Sequence, residues 1–175
     1  MEYTLSILFI ILILWLILYF ILEFSIVNKK IKSVNQVFQE LDKVFIKRLN
    51  VLYKILDIIK EYDKIEFDVL SSNLYDYINE YNEYNLEKKI SVNEGLNLDL
   101  KKIFLTSKVY PELLDNFKYV KLEKQLKRFN KVISKLCKKY NNLLLIYMDR
   151  KKIFPSNLIC SILEKDEYRY FRIED

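Results

Sequence analysis

The chain contains no histidine, one glycine, two prolines, two cysteines and one tryptophan among 175 residues. Each scarcity excludes something. Without His the usual general base is missing. A carboxylate metal site of the ferritin type, built on Glu-x-x-His, is impossible. A lone Gly95 supplies no phosphate-cradling loop, and with Pro111 and Pro155 it offers too few turn residues for an all-β fold. Cys137 and Cys160 are far apart with no His or second Cys nearby. A zinc site needs about four ligands, so both are read as reduced thiols. There is no G-x-S-x-G, no Walker loop and no metal-ligand cluster. Carboxylates such as Asp42, Asp57 and Glu61 are read as solvating helix faces or pairing with Lys. The expectation is a protein that is not an enzyme and needs no cofactor.

What remains is 51% apolar and 30% charged, a balance that argues against wholesale disorder. So few helix breakers fit long helices joined by few turns.

Leu5 to Leu22 is almost unbroken apolar sequence, interrupted only by Ser6, with Glu23 at its end. Eighteen such residues span a bilayer as a helix. A cleaved signal peptide would need a basic start and a small-residue cleavage site. Here the start is Met1-Glu2-Tyr3-Thr4, and Glu23-Phe24-Ser25-Ile26 is no such site. Residues 1–26 are therefore assigned to an exposed N-terminal end and a single transmembrane helix, and 27–175 to a second, cytoplasmic domain. No Lys or Arg precedes Lys29, and Lys30 and Lys32 follow at once. That asymmetry predicts a single-pass cell-membrane protein with its N-terminus outside. Only Glu2 and Glu23 precede Phe24, so the remainder holds 29 basic against 22 acidic residues, a formal +7. The charges are interspersed along helices. They predict attraction of the first lysines to anionic lipid headgroups rather than nucleic-acid binding.

Three stretches carry helical periods. Val27, Ile31, Val34, Phe38, Leu41, Phe45, Leu52, Ile55 and Ile59 form a heptad stripe. Arg48 stands in its missing position. Either Arg48 snorkels while Leu49 fills the seam, or it forms a buried pair with a carboxylate that sets helix register. A second stripe, Phe67, Leu70, Leu74, Tyr77, Tyr81 and Tyr84, is out of phase with the first. A break is expected near Glu61–Asp63, with Asp63 and Glu66 as a capping box. The polar segment Asn82 to Gly95 is read as a loop. Ser91 and Glu94 then resemble a second capping box before a shorter helix that stops ahead of Pro111. The third stripe, Tyr119, Leu122, Leu126, Phe129, Ile133, Leu136, Tyr140, Leu143 and Tyr147, predicts a helix capped by Asp115 or Asn116 and reaching about Lys152. Pro155 ends it, and Ser156 or Asn157 caps a short C-terminal helix. The fold class expected is all-α: a transmembrane helix, then an antiparallel, coiled-coil-like bundle of three to four long helices.

The C-terminal residues also carry a pattern. Tyr110-Pro111-Glu112-Leu113 followed by Asn116, the pair Tyr140-Asn141, the run Phe154-Pro155-Ser156-Asn157-Leu158 and the aromatic tail Tyr168 to Phe171 stand in sequence. Together they resemble the LemA family of bacterial membrane proteins. Leu41-Asp42 and Lys47-Arg48 fit its N-terminal half, whereas Tyr53-Lys54 stands where Pro-Asn is usual. The resemblance implies one N-terminal anchor, an exposed N-terminus and a cytoplasmic helical bundle, and brings no established catalytic activity.

Two functions compete. A membrane-tethered scaffold or adaptor would offer bundle faces to an unknown protein partner. A self-assembling structural protein would pair its heptad stripes between chains as a homo-oligomer. Candidate contact or motif residues are Arg48, Tyr110, Pro111, Asn116, Tyr140, Asn141, Phe154, Pro155 and Asn157. The competing account of the asparagines is local capping or turn chemistry.

Overall fold

The structure, a computed structural model, describes every residue except Met1, Asp63, 164–167 and 173–175. At Glu2, Glu66, Val69, Leu70, Asn73, Ile78, Thr106 and Ser107 it describes the backbone alone. The Asp63–Glu66 capping pattern and the Leu70 side chain lie outside the described residues.

The described chain is helical without strands. It comprises α1 (Glu2–Ile59), α2 (Lys64–Glu80), a 3-10 turn (Tyr81–Glu83), α3 (Leu86–Val109), α4 (Glu112–Asp115), α5 (Phe117–Lys151) and α6 (Ser156–Leu163). It divides into two compact units, Met1–Gln36 with Asn142–Asp166, and Val37–Asn141 with Glu167–Asp175.

In the first unit, every described side chain from Tyr3 to Leu22 is exposed. This helix is long and apolar enough to cross a membrane, with none of its most apolar stretch covered by protein. Water would not tolerate so large an apolar surface, which fits a single-pass membrane protein.

The second unit is a four-helix bundle. Tyr53 meets Tyr75, and Lys60 lies over Phe67, so α2 runs back along α1. Asp42 pairs with Lys89 while Arg48 reaches Asn93 and Asn97, so α3 runs parallel to α1. Phe38 touches Tyr140, and Asp57 and Phe117 line one groove, so α5 is antiparallel to α1. That is up-down-up-down topology, the outcome of short connections between long helices. Leu41, Phe45, Leu52, Ile55, Ile59, Leu74, Leu96, Ile103, Tyr119 and Leu126 are buried, so the three stripes face inward.

The expected break is present: α1 stops at Ile59 and α2 starts at Lys64. The expected loop over Asn82 to Gly95 is not. Asn85 Oδ1 accepts from the Lys88 amide at 2.9 Å and caps α3, which begins at Leu86. Behind that cap the helix is two-faced: Glu87 and Lys88 are exposed, while Ile90, Val92 and Asn93 are buried. Gly95 sits within the helix at negative φ. Ser91 and Glu94 are no capping box; they lie on one helix face and hold Arg169 of the tail. Asn116 does cap α5, accepting from the amides of Lys118 and Tyr119. Neither Ser156 nor Asn157 caps α6. Ser156 is its first residue and the Ile159 amide bonds to the Pro155 carbonyl.

Candidate functional site

Arg48 is the polar centre of the bundle, 1% exposed. Neither sequence reading describes it. It does not snorkel, and its partners are amide and carbonyl oxygens, not a carboxylate. Nη1 donates to Asn97 Oδ1 at 3.0 Å, and Nη2 donates to Asn93 Oδ1 at 2.8 Å and to the Asn93 carbonyl. Its guanidinium also lies 5.5 Å from the Phe45 ring centroid. Leu49 is buried as well, so the seam takes both residues. Neutral acceptors solvate the charge without neutralising it, and burial pushes the guanidinium down to about 10, still charged at neutral pH.

The network spreads from there. Asn93 Nδ2 donates to Tyr81 Oη at 3.0 Å and to the Lys89 carbonyl. Lys89 pairs with Asp42 at 3.0 Å and lies over the Tyr81 ring. Burial first, then the charge of Asp42, raises the Tyr81 phenol. The Cys137 thiol is pushed up to about 12 by burial, with Arg48 pulling the other way. A cavity of about 280 Å³ lies beside Arg48, with Asn97, Lys101, Phe104, Asn130 and Cys137 in its wall.

The C-terminal tail seals the bundle. Phe171 is buried against Phe38, Phe45 and Tyr140. Asn141 holds that residue's backbone at both ends: Nδ2 donates to its carbonyl at 2.8 Å, and Oδ1 accepts from its amide at 2.9 Å. Arg169 donates to Ser91 and pairs with Glu94 at 3.1 Å.

The first unit holds a second polar cluster. Glu23, 2% exposed, accepts from Arg150 Nε at 2.6 Å, from Arg150 Nη2 and from Ser156 Oγ. The Phe154–Pro155 bond is cis. Pro155 is buried, while Phe154 is exposed and meets Phe20 edge-on at 6.0 Å.

The candidate residues therefore scatter. Arg48, Tyr140 and Asn141 serve the bundle interior and the tail. Tyr110, half-buried, and exposed Pro111 lead into α4. Asn116 caps α5 and donates to Tyr62 Oη at 3.5 Å. Asn157 is exposed, and its Oδ1 accepts from the Leu158 amide. The sequence does not single out Asn93, Asn97, Arg169 or Arg150, and Glu94 and Ser156 read there only as local caps. The one available signal was the four-residue step between Asn93 and Asn97, which stacks two amides on one helix face.

The LemA family model matches residues 37–175, most of the chain. The chain belongs to the LemA family. No curated protein and no solved structure matches it. The matched region of this LemA-family chain includes the Arg48 network and the tail clamp.

Proposed function

We propose that this LemA-family chain is a non-catalytic membrane-anchored scaffold that presents its helical bundle to a protein partner in the cytoplasm. The observation that carries the reading is the run of uncovered apolar side chains where the chain passes from α3 through α4 into α5, a corner of the fold. Leu105, Val109, Leu114 and Phe117 are 59%, 69%, 54% and 79% exposed there. Phe117 also lines a groove of about 810 Å³ with Asn116, Lys54, Asp57 and Glu61. An apolar patch rimmed by charges of both signs is the chemistry of a protein-binding surface. The Tyr110–Asn116 motif lies at that corner, so Asn116 remains placed to influence a partner.

The non-catalytic reading rests on the chemistry present: no histidine anywhere, and Asp42 committed to Lys89. The orientation rests on Lys29, Lys30 and Lys32 following the span.

Crosslinking and capture of the full-length protein from its own membranes tests this reading, with Phe117→Ser and Asn157→Ala alongside. A defined protein captured by the unaltered chain and lost with Phe117→Ser, while circular dichroism stays helical, supports the scaffold. Concentration-dependent self-crosslinks alone would replace it with the self-assembling structural protein.

A further inference from the structure

We propose that the Phe154–Pro155 turn and α6 form a second membrane-embedded element, lying in the headgroup and upper acyl region of the same leaflet at which the N-terminal helix ends. The inference rests on the reading that Leu5–Leu22 spans the bilayer.

α6 is apolar on two faces. Ile159 and Cys160 are buried against the protein, while Leu158 and Ile162, one turn apart, are 50% and 78% exposed. Ile153 and Phe154 add uncovered surface just before the helix, at 50% and 61%. A helix whose outer face meets water carries polar residues there. Of the four exposed positions of α6, only Asn157 and Ser161 are polar.

The occupant follows from what this surface adjoins. Phe154 packs edge-on against Phe20. Phe20 lies two residues inside the end of the apolar span, about 3 Å along the helix axis. A ring touching Phe20 from outside the helix is at the depth where hydrocarbon gives way to headgroups. Ile153, Phe154, Leu158 and Ile162 thus continue the lipid-facing surface of the anchor.

The polar groups around it agree. Lys29, Lys30 and Lys32 follow the span, and Lys151 precedes the turn, beside Lys152, which is paired with Asp149 at 2.9 Å. Cations at that level favour anionic headgroups. The one acid at the end of the span, Glu23, is covered and held by Arg150 and Ser156, the latter the first residue of α6. Its charge is paired before it reaches the interface. The same contact ties α6 to the end of the span.

The single native tryptophan, Trp15, lies within the span and gives the control. Full-length protein is reconstituted in phosphatidylcholine–phosphatidylglycerol vesicles whose acyl chains carry bromine near the glycerol or near the chain end. Two variants in a Trp15→Phe background move the reporter, Phe154→Trp and Ile162→Trp. The second replaces a side chain mostly free of protein contact, so it leaves the fold intact if the first does not. The expected result is a blue-shifted emission that shallow bromines quench most and aqueous iodide leaves unchanged. Quenching by iodide without quenching by bromine, while Trp15 of the unaltered protein is still quenched by bromine, would overturn the proposal and leave the span standing. Shielding from both quenchers would also overturn it, because protein would then cover the face. If no brominated lipid quenches Trp15 itself, the span reading fails and the proposal falls with it.

Discussion

Arg48 Nη2 donates to both oxygens of Asn93, the side-chain Oδ1 at 2.8 Å and the backbone carbonyl at 3.1 Å. A helix on the far side of the core thus solvates a full charge with a side chain and its own main chain. Removing one side of such an arrangement strands the other, and replacing both with apolar groups costs far less.

Asn93→Leu is therefore expected to destabilise the full-length protein by about 3 kcal/mol, the cost of leaving a buried charge short of acceptors. Arg48→Met combined with Asn93→Leu recovers most of that loss. Thermal melts in detergent followed by circular dichroism check both. A double variant no more stable than the single would show that the charge is not what Asn93 serves.

Asn141→Ala removes both hydrogen bonds to the Phe171 backbone, worth about 2 kcal/mol together at roughly 1 kcal/mol each. The expected readout is local: hydrogen exchange at residues 168–172 speeds up, while the amides around Arg48 keep their protection. Asn141→Asp is worse than Ala, because a carboxylate has no donor for the Phe171 carbonyl and repels it. Unchanged exchange in the tail under Asn141→Ala would remove Asn141 from the role of clamp.

Alkaline pH weakens the bundle. The Cys137 thiol stands at about 12 against an ordinary 9.0, and the Tyr81 phenol is also raised. In the folded state both keep protons that the unfolded chain gives up, so their stabilisation is complete below about pH 9 and declines above it. Arg48 acts with the opposite sign, since burial lowers it to about 10; its effect begins only above that value. Between pH 9 and 10 the melting temperature is expected to fall, and Cys137→Ala reduces the slope. Site-resolved mass spectrometry should also find Cys137 alkylated slowly in the folded protein and rapidly in denaturant.

Glu23→Gln keeps the shape of the side chain but loses its charge. Arg150 is a third exposed and keeps access to water, so the cost is set at about 2 kcal/mol, below that of a fully buried pair. Limited proteolysis in detergent is the check: cleavage near α6 should accelerate, and Arg150→Gln should add little to it. Additive effects of the two variants would show that the residues act separately.

Much of the architecture was legible in the residues. The apolar run from Leu5 to Leu22 and the alternating three- and four-residue steps of the stripes record burial on one helix face, which depends on local spacing alone. Asn116 was readable as a cap for the same reason, since a cap bonds to amides two and three residues on. The family assignment also came from linear motifs.

Segments whose partners are distant in sequence were not legible. Asn82 to Gly95 reads as a polar loop; from Leu86 it is helix, with Glu87 and Lys88 exposed and Asn93 turned inward to Arg48. Ser91 and Glu94 have a capping box's spacing, yet what they bind is Arg169, 78 and 75 residues away. Glu23 reads as the polar end of a span and proves to be a buried acceptor for Arg150 and Ser156. The striped segments could be read as helices, and their inward faces named, from the residues alone, because both follow from periodicities of a few residues. Which polar groups meet emerges with the packing, because a buried charge is satisfied by whatever acceptor distant helices bring within 3 Å.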